Sequence, residues 1–422
     1  MFTKILTRNF DQPDLHEMEV YEKLGGYRMI RQALRRHTPE EIVQMVQRSG
    51  LRGRGGAGFP TGIKWGFIPR NSDKPTYLCV NADESEPGTF KDRHIILHDP
   101  HQLLEGIMVS AYAIQSRRAF IYIRGEMARE AAILNDAIAQ AEKKNYLGHR
   151  IFGEDFDLQI QVVRGAGAYI CGEETGLLES IEGKRGQPRT KPPFPAVCGL
   201  YGCPTIINNV ETLINVPHIV ANGPEWFAAI GKDPRNTGPK LYGVSGQVKR
   251  PGVYEFDMTI TLKELIYDVC GGLTENRALK GVIPGGSSVP ILLPEEIDVA
   301  MDFDSLAARG TMLGSAGVVV IGEGTCMVRV ARRVAQFYAF ESCGQCPPCR
   351  EGTAWLHKIL QRIESGGGHP GELDLLAEIC DNMKSHTICP LSDAAAMPIE
   401  SYIRKYRAEF EEHLSRPGCA CS

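Results

Sequence analysis

Apolar residues recur along the first half of the chain with two different periods. Two short apolar runs, at residues 77–80 and 119–123, have the length and composition of buried strands, and alternate residues from 158 to 162 are apolar, as in a strand with one covered face. Between the second and third of these segments, apolar residues from 131 to 141 recur at helical spacing, with charged residues on the other faces. This alternation of strands and helices predicts an α/β layered sheet.

The second half of the chain divides into two further parts. A stretch rich in glycine and proline at residues 231–239 predicts a domain boundary. Beyond it, short strands flank a single helix that begins with the capping box Thr261-x-x-Glu264 and ends at Gly271-Gly272. One helix on a small mixed sheet indicates a ubiquitin-like β-grasp module, and from Cys326 onward the pattern is helical. The domains expected are residues 1–237 (α/β), 238–325 (β-grasp) and 326–422 (helical).

The composition narrows the class of protein. At 422 residues and 43% hydrophobic content the chain can bury two or three cores, and its formal net charge of −4 argues against general nucleic-acid binding. The 13 cysteines are an odd number and mostly scattered, which is typical of a reducing compartment rather than of a disulfide framework. No apolar run reaches membrane-spanning length, and the first residues resemble neither a signal peptide nor a transit peptide. We therefore expect any membrane association to come through partner proteins.

The most specific chemical signal is a set of four cysteines. Cys343, Cys346 and Cys349 follow the spacing C-x2-C-x2-C, and Cys389, followed by Pro390, lies about 40 residues further along the chain. Three thiolates on one tight loop and a fourth from elsewhere form the ligand set of a [4Fe–4S] cluster, and a Cys-Pro pair closes bacterial ferredoxin runs in the same way. A structural zinc site usually pairs two C-x2-C knuckles, and the second is missing here. The spacing predicts an electron carrier, with a zinc site or unrelated core thiols as the alternatives.

Two glycine clusters lie in the α/β part. The first spans residues 53–62 and is followed by Lys64, whereas the second spans residues 165–175, follows a predicted strand and precedes a helix. Glycines let backbone N–H groups approach a phosphate closely, and the N-terminus of a following helix favours the negative charge. No strand runs directly into the first cluster, so by itself it is as compatible with a flexible turn as with a phosphate loop.

Polar and basic loops accompany the glycine clusters. Residues 81–89 directly follow the strand that ends at Val80 and supply an asparagine and three carboxylates. Loops at the carboxyl ends of strands are where open α/β sheets bind ligands, and these groups can accept hydrogen bonds from ribityl or ribose hydroxyls. A solvated acidic turn is the alternative. The basic, proline-stiffened loop at residues 184–195 is either a surface polyproline segment or a cationic rim for a nucleotide.

Two other groups of side chains could bind a metal by their chemistry, but their positions in the sequence disfavour that role. His94, His98 and His101 would share one face of a helix. A proline at position 100 interrupts that helix, so the pattern disfavours a metal site. The Cys419-x-Cys421 pair near the C-terminus is expected to form tail thiols without a ligand role.

Five motifs resemble a known family in their residues and in their order. They are residues 53–62 with Lys64, residues 81–89, residues 165–175, the run Asn208-Asn209-Val210-Glu211-Thr212, and the cysteine run that begins Glu341-Ser342-Cys343. The resemblance is to the NADH-binding, FMN-containing flavoprotein subunit of respiratory complex I (NADH–quinone oxidoreductase), and it covers nearly the whole chain. The resemblance implies an α/β fold class: a Rossmann-like flavin and NADH domain, a ubiquitin-like β-grasp module and a C-terminal helical bundle that carries the [4Fe–4S] cluster.

The resemblance also implies roles for individual residues. By motif position, FMN would be held by Gly53, Gly55, Lys64, Asn81, Asp83, Glu84, Gly172, Glu173, Asn208 and Asn209. NADH would contact Gly56, Phe59, Phe67, Glu86, Tyr169, Glu174, Lys191 and Phe194. The three phenylalanines suit stacking on the adenine. Hydride transfer to a flavin needs no protein nucleophile, so the two residues expected to be catalytic, Glu86 and Tyr169, are expected to act by positioning the nucleotide.

The function implied is that of an electron-input subunit. A hydride would pass from NADH to FMN, and single electrons through the cluster to a thioredoxin-like [2Fe–2S] subunit and a large multi-cluster iron–sulfur subunit. These partners would hold the chain in the cytoplasm, peripherally at the inner membrane of a bacterium. A diaphorase subunit of a soluble NAD-linked hydrogenase or formate dehydrogenase shares the same core. Only about 50 residues precede Gly53 and the tail has no second ferredoxin run, which favours complex I. A non-redox, zinc-stabilised nucleotide-binding module is the alternative from another class.

Overall fold

A four-stranded parallel sheet organises the first part of the molecule. In a computed structural model that describes residues 2–69, 72–231 and 234–415, its strands lie in the order β3-β2-β1-β4. They span Tyr77–Ala82 (β1), Arg118–Ile123 (β2), Gln159–Arg164 (β3) and Thr205–Asn209 (β4). The three strands expected from the hydrophobic pattern are confirmed. The pattern did not predict β4, because polar residues at both of its ends leave only two apolar residues between them.

Helices accompany this sheet before, between and after its strands. They span Met18–Lys23 (α1), Arg28–Arg36 (α2), Pro39–Arg48 (α3), Thr61–Trp65 (α4), Lys91–His98 (α5), Pro100–Ala113 (α6), Ala128–Lys143 (α7), Glu174–Ile181 (α8), Pro195–Cys198 (α9), Val210–Asn222 (α10) and Pro224–Ala228 (α11). The helix expected over residues 131–141 lies within α7, and its periodic apolar residues are buried. Asp99 separates α5 from α6, as the following proline predicted, and its carboxylate accepts from the backbone N–H of Gln102 (3.0 Å).

A second four-stranded sheet forms the middle of the chain. Its strands are β5 (Pro239–Gly246), β6 (Gly252–Asp257), β7 (Leu279–Ile283) and β8 (Gly317–Gly322), in the order β6-β5-β8-β7. β5 is antiparallel to β6 and parallel to β8, so the sheet is mixed, as expected. The predicted capping box is present at α12 (Leu262–Glu264), which continues as a π-helical turn, and α13 spans Phe303–Ala308. Gly271 and Gly272 follow with φ angles of +76° and +80°.

The last part of the chain is helical. Its helices are α14 (Met327–Glu341), α15 (Pro347–Glu364), α16 (Glu372–Met383), α17 (Leu391–Lys405) and α18 (Arg407–Ser415). Their apolar core is continuous with Ile170 and Ile207 of the first part, so the helices pack onto the parallel sheet rather than standing apart from it. The Cys419-x-Cys421 pair lies outside the described residues. Among the helices that the structure describes, none combines the length and the apolar character needed to cross a membrane.

Candidate functional site

Polar side chains collect at the carboxyl edge of the parallel sheet. β1 and β4 are neighbours, and their register places Asn81 beside Asn209. The side-chain amide of Asn81 donates to the carbonyl of Gly172 (2.8 Å), which belongs to the second glycine cluster. On β4, the carboxamide oxygen of Asn208 accepts from the indole N–H of Trp65 (2.8 Å). The predicted polar loop and the 208–212 motif therefore meet at the edge where open α/β sheets bind ligands.

The first glycine cluster lies against this edge. The N–H of Gly53 donates to the carbonyl of Phe59 (2.8 Å) and closes the loop, while Gly56 has a φ of +135°. A Cβ atom at Gly55 would lie 3.1 Å from the Cβ of Asn209, so a side chain there would press the loop away from the end of β4. The glycines thus let the backbone of this loop approach the ligand edge closely.

Arg54 anchors the same loop from inside. Its side chain is fully buried, and its guanidinium donates to the carbonyl of Thr237 (2.6 Å). Its backbone N–H donates to the hydroxyl of Thr212 (2.8 Å) on α10. Both contacts fix the loop to other segments, which disfavours the flexible turn that the sequence left open as the alternative to a phosphate loop.

The second glycine cluster forms a 3₁₀ turn, Tyr169–Gly172, that leads into α8. Glu173 caps this helix, because one of its carboxylate oxygens accepts from the backbone N–H groups of Thr175 (2.8 Å) and Gly176 (2.9 Å). The other oxygen accepts from the ammonium of Lys191 (2.8 Å). The prediction that this cluster opens a helix is confirmed, and the carboxylate of Glu173 is engaged by its own chain.

Two lysines converge on Glu174, the first residue of α8. The ammonium of Lys64, which α4 carries, lies 2.9 Å from the Glu174 carboxylate, and that of Lys191 lies 3.2 Å away. Burial alone would raise the pKa of Glu174, but Lys64 and Lys191 outweigh it and hold this pKa below its usual value. The basic loop at residues 184–195 therefore contributes a charge to the site, which supports the interpretation of that loop as a cationic rim.

Three aromatic rings stand exposed beside these lysines in the sequence. Phe59, Phe67 and Phe194 each expose about half of their surface, at 48%, 53% and 58%. The rings of Phe59 and Phe67 lie 6.1 Å apart between centroids. Large apolar rings left in solvent commonly mark a binding surface, and flat rings suit stacking on a base.

The carboxylates of the polar loop have different partners. Both oxygens of Glu84 accept from backbone N–H groups at the start of α5, from Asp92 (2.8 Å) and Arg93 (3.0 Å). Burial, assisted by the nearby Asp92 carboxylate, raises the pKa of Glu84 to about 7. Both oxygens of Glu84 thus have backbone partners within the protein. No local sequence pattern indicated that a helix would begin seven residues after Glu84.

Glu86 connects all three parts of the chain. Its carboxylate accepts from the hydroxyl of Tyr169 (2.6 Å) and from the backbone N–H of Ser288 (2.8 Å). The hydroxyl of Ser287 also donates to it (3.2 Å) and lies 3.2 Å from the hydroxyl of Tyr338 on α14. Burial raises the pKa of Glu86 in spite of these donors. The two residues expected to be catalytic, Glu86 and Tyr169, are therefore in direct contact.

Sequence reasoning missed a buried network of charges beneath the ligand edge. The ammonium of Lys91 lies 2.8 Å from Asp92 and 2.9 Å from Glu211, and the ammonium of Lys240 lies 2.7 Å from Glu211. The side chain of Asn209 joins this network, because its amide donates to Asp92 (2.6 Å) and its carbonyl accepts from Lys91 (3.3 Å). These residues come from distant segments, and a charged residue in a sequence ordinarily indicates the surface.

The four cysteines expected to bind the cluster line one small cavity. It lies between the start of α15, the segment before α17 and the turn that contains Ile170. All four are free thiols: Cys349 is buried, and Cys343, Cys346 and Cys389 are half-buried. The remaining lining residues are the apolar Ile170, Ile388 and Leu391 and the polar Ser342, Gln345 and Thr387.

The chemistry of this donor set fits a cubane better than a single ion. A zinc ion needs four ligands at about 2.0–2.3 Å from one point. In the described part of the chain, no three His, Cys, Asp or Glu side chains are placed to hold one metal ion. A [4Fe–4S] cluster instead binds one thiolate at each of four separate irons. Four thiols around a shared cavity therefore agree with the cluster.

The three histidines do not converge on one point. The Nδ1 atom of His98 hydrogen-bonds the carbonyl of His94 (2.8 Å), whereas Nδ1 of His101, on the following helix, lies 2.8 Å from the hydroxyl of Tyr27. Burial lowers the pKa of His94 and of His101 to about 4. Burial thus keeps the rings of His94 and His101 neutral, and His101 is fully buried beside Tyr27.

The ligand edge is also suited to a flavin nucleotide. One carboxylate oxygen of Asp83 is buried without a hydrogen-bond partner in the described structure, which leaves an acceptor for a bound molecule. Two glycine loops, two lysines and exposed rings surround the edge, and a cavity of four thiols adjoins it through the turn at Ile170. The fold and the two sites define an α/β nucleotide-binding protein with an iron–sulfur centre.

Comparisons with known proteins identify the family. Residues 46–218 match the model of the Nuo51 FMN-binding domain, residues 240–321 that of the SLBB domain, and residues 329–413 that of the NADH-ubiquinone oxidoreductase-F iron-sulfur binding region. The chain is 55% identical over 419 residues to the NADH-quinone oxidoreductase F-subunit, form 2, of Rhizobium meliloti (strain 1021), covering 99% of both chains. It belongs to the family of NADH-quinone oxidoreductase F-subunits. The family expected from the motifs is thereby confirmed, and so are its cofactors, FMN and a [4Fe–4S] cluster.

Other relatives agree. The NADH-quinone oxidoreductase F-subunit of Mycobacterium tuberculosis (strain H37Rv) is 48% identical over 424 residues, covering 99% of this chain and 95% of its own. Among solved structures, an NAD⁺-reducing [NiFe]-hydrogenase in the air-oxidized state matches with a TM-score of 0.84 at 34% identity, over 98% of this chain and 67% of the hydrogenase chain. The runner-up function considered from the sequence, a hydrogenase diaphorase, thus has a relative of the same architecture.

Proposed function

We propose that this chain is the electron-input subunit of an NADH–quinone oxidoreductase. It takes a hydride from NADH at its FMN site and passes electrons singly through its cluster to partner subunits. The observation that carries this proposal is the turn Tyr169–Gly172, which belongs to both sites. Tyr169 donates to Glu86 and the carbonyl of Gly172 accepts from Asn81 on the nucleotide side, while Ile170 lines the cysteine cavity. One turn of backbone therefore contacts both the residues proposed to hold the nucleotides and the cavity of the four cysteines.

The residues proposed to hold FMN differ in whether the protein already satisfies their hydrogen-bonding groups. The set is Gly53, Gly55, Lys64, Asn81, Asp83, Glu84, Gly172, Glu173, Asn208 and Asn209. Glu84 and Glu173 already accept from helix N-termini, and Asn209 is held by Lys91 and Asp92, so these three act by shaping the site. Asp83 retains a buried oxygen without a partner, so it is available for a direct contact.

The residues proposed to bind NADH are Gly56, Phe59, Phe67, Glu86, Tyr169, Glu174, Lys191 and Phe194. The exposed rings of Phe59, Phe67 and Phe194 offer apolar faces to the adenine. Glu174 offers a carboxylate to a ribose hydroxyl, and Lys191 offers a cation to the pyrophosphate. Glu86 and Tyr169 orient the nicotinamide end.

The chemistry divides between cofactor and protein. FMN, when bound, supplies the exchange between a two-electron hydride and one-electron steps. The protein binds and orients NADH, and it holds the cluster ligands Cys343, Cys346, Cys349 and Cys389 around one cavity. The hydroxyl of Tyr169 holds the Glu86 carboxylate in place (2.6 Å), and no nucleophile is required.

The proposal also assigns a function to each of three domains and names the partner subunits. Residues 1–237 form the flavin and NADH domain with a Rossmann-like sheet, residues 238–325 a β-grasp module, and residues 326–422 a helical bundle for the cluster. Support comes from the mixed sheet β6-β5-β8-β7 and from the placement of the four cysteines around the starts of α15 and α17. The partners are a thioredoxin-like [2Fe–2S] subunit and a large multi-cluster subunit, which keep the chain at the cytoplasmic face of the inner membrane.

The second candidate function, a hydrogenase diaphorase, is favoured by the structural likeness to the NAD⁺-reducing hydrogenase. That likeness is at 34% identity and spans 67% of the hydrogenase chain, whereas the Rhizobium meliloti relative is 55% identical over 99% of its length. The two functions differ in the electron acceptor, and both use the same NADH and cluster sites.

The experiment is an anaerobic NADH titration of the purified chain. We expect NADH to bleach the visible absorption of the flavin and to produce the EPR signal of a reduced [4Fe–4S] cluster, with iron and FMN present and zinc absent. Affinity purification from cells then distinguishes the two functions by the subunits that accompany the chain. A protein that contains zinc and shows no response to NADH would refute both.

A further inference from the structure

The carboxylates around the flavin edge differ in how many of their oxygens the protein uses. Glu84 accepts from two backbone N–H groups of α5, Glu173 from α8 and Lys191, and Glu86 from Tyr169, Ser287 and Ser288. Asp83 is the exception among these four. The hydroxyl of Ser85 donates to its Oδ2 (2.8 Å), and its Oδ1 is buried without a hydrogen-bond partner in the residues described. A buried polar atom left without a partner is costly, so it marks a position that a ligand completes.

Asp83 lies at the ligand edge of the parallel sheet. It is only 8% exposed, it directly follows β1, and a Cβ atom at Gly172 would lie 3.5 Å from its Oδ2. Gly172 is the residue whose carbonyl accepts from Asn81 (2.8 Å), so Asp83, in the loop at residues 81–89, faces the second glycine cluster. Ser85 holds one oxygen, which leaves Oδ1 as the atom available to a bound molecule.

The charged groups near Asp83 do not neutralise the negative charge of its carboxylate. The nearby cation is Arg124, which follows β2, but its guanidinium is engaged with Glu126 (2.7 Å). The other charged neighbours are Glu126 and Glu341 on α14, both acidic, and the weakly acidic groups of Tyr122 and Cys171 also lie close. Within the described structure Asp83 forms no ion pair. Burial accordingly raises the pKa of Asp83 to about 7, against its ordinary value of 3.8.

We propose that Asp83 is the proton acceptor for the bound flavin. This rests on the function proposed above. A hydride brings two electrons and one proton from NADH to the flavin site. The two electrons leave one at a time through the cluster to the partner subunits, and one proton remains. The carboxylate of Asp83 takes that proton: an O–H bond forms at Oδ1 while an N–H bond of the ligand breaks. Asp83 then releases the proton to water, and the atoms and electrons balance.

The test uses Asp83→Asn in the holoprotein, because asparagine keeps the shape and cannot carry the proton. The flavin midpoint potential is measured by spectroelectrochemistry from pH 6 to 8.5, next to the FMN content. We expect a break in the potential-against-pH plot of the unmodified protein near pH 7, and its loss in Asp83→Asn with FMN retained. NADH–ferricyanide turnover should fall about 10²-fold, the usual contribution of one positioned proton acceptor. A break that persists unchanged in Asp83→Asn overturns the proposal.

A second variant covers the case in which Asp83→Asn loses its flavin. Ser85→Ala removes the hydrogen bond that favours the ionised carboxylate, so the break should move to higher pH while Asp83 remains present. If the break does not move, Asp83 is not the titrating group. The proposed function fails separately: in that case NADH reduces neither the flavin nor the cluster of the unmodified protein.

Discussion

Lys240 and Glu211 form a fully buried ion pair across 2.7 Å. Lys240 lies on β5 of the second sheet, and Glu211 lies in the first turn of α10, directly after the strand that carries Asn208 and Asn209. Burial would raise the pKa of Glu211, but Lys240, followed by Lys91 and Arg54, holds this pKa below its usual value. The pair fastens the second part of the chain to the flavin edge of the first.

The first prediction concerns this pair. Glu211→Gln should lower the free energy of unfolding by about 3–5 kcal/mol, because it leaves the ammonium of Lys240 buried without a carboxylate. Lys240→Met should cost less, since the ammonium of Lys91 still lies 2.9 Å from Glu211. Urea unfolding of both variants measures the difference. The control is Arg35→Ala, which removes an exposed ion pair with Glu154 and should change the free energy of unfolding little. Equal losses in all three variants would contradict this account.

The second prediction concerns the cluster. Cys389→Ser should abolish or convert the EPR signal of the reduced [4Fe–4S] cluster, because Cys389 is the one thiol at the cavity that comes from outside the run at residues 343–349. FMN should stay bound, since the flavin edge is built from other segments. Cys198→Ser, at an exposed thiol of α9, should leave the spectrum unchanged. An unaltered signal in Cys389→Ser would remove this residue from the ligand set.

Local patterns predicted β1, β2, β3 and α7 because their apolar residues recur at the spacing of the element itself. The cysteine set was found because thiolates at that spacing have few structural uses. The Lys91–Glu211–Lys240 network could not be found in this way, because its members come from three segments and each charge alone indicates a surface position. Which carboxylate caps a helix and which faces a ligand depends on where helices begin in space.

The third prediction concerns the choice between NADH and NADPH. In the NADH site proposed above, the carboxylate of Glu174 would repel a 2′-phosphate, and Lys64 (2.9 Å) and Lys191 (3.2 Å) are held beside that carboxylate. Glu174→Gln would leave two lysines without that carboxylate, so kcat/KM for NADPH relative to NADH should rise by about tenfold or more. Glu154→Gln, remote from the site, is the matched control. If steady-state kinetics show the same ratio in both variants, Glu174 is not the discriminating residue.

The fourth prediction concerns pH. Burial raises the pKa of Asp99 to about 7 from 3.8, so the folded protein binds a proton there that the unfolded chain does not. This stabilisation is complete below about pH 4 and is lost as the pH rises through about 7. Asp99→Asn keeps an N-cap for α6 and should therefore gain stability relative to the unmodified protein between pH 5 and pH 8, by at most about 4 kcal/mol. Melting temperatures across that range measure it, with Glu142→Gln on the exposed face of α7 as control. A parallel pH dependence for Asp99→Asn and the unmodified protein would disprove it.

The last prediction concerns Glu86. Its carboxylate is held by Tyr169 (2.6 Å) and the backbone of Ser288 (2.8 Å), so its direction is fixed before NADH binds. Glu86→Gln keeps the shape and removes the charge, which weakens a hydrogen bond to a ribose hydroxyl by about 1.5–3 kcal/mol. NADH–ferricyanide activity should therefore fall by about one to two powers of ten.

The FMN content decides what such a loss means. Asn81 and Asp83, the nearby residues assigned to the flavin, are untouched in Glu86→Gln, so FMN should stay near full occupancy. Ser287→Ala is the matched control, because it removes one donor to Glu86 at 3.2 Å and leaves the other two. Its activity should lie close to that of the unmodified protein. Full activity in Glu86→Gln would exclude this residue from the nucleotide site. Loss of the flavin would instead mean that the loop at residues 81–89 holds FMN through Glu86 as well, and that the nicotinamide is oriented from the Tyr169 side alone.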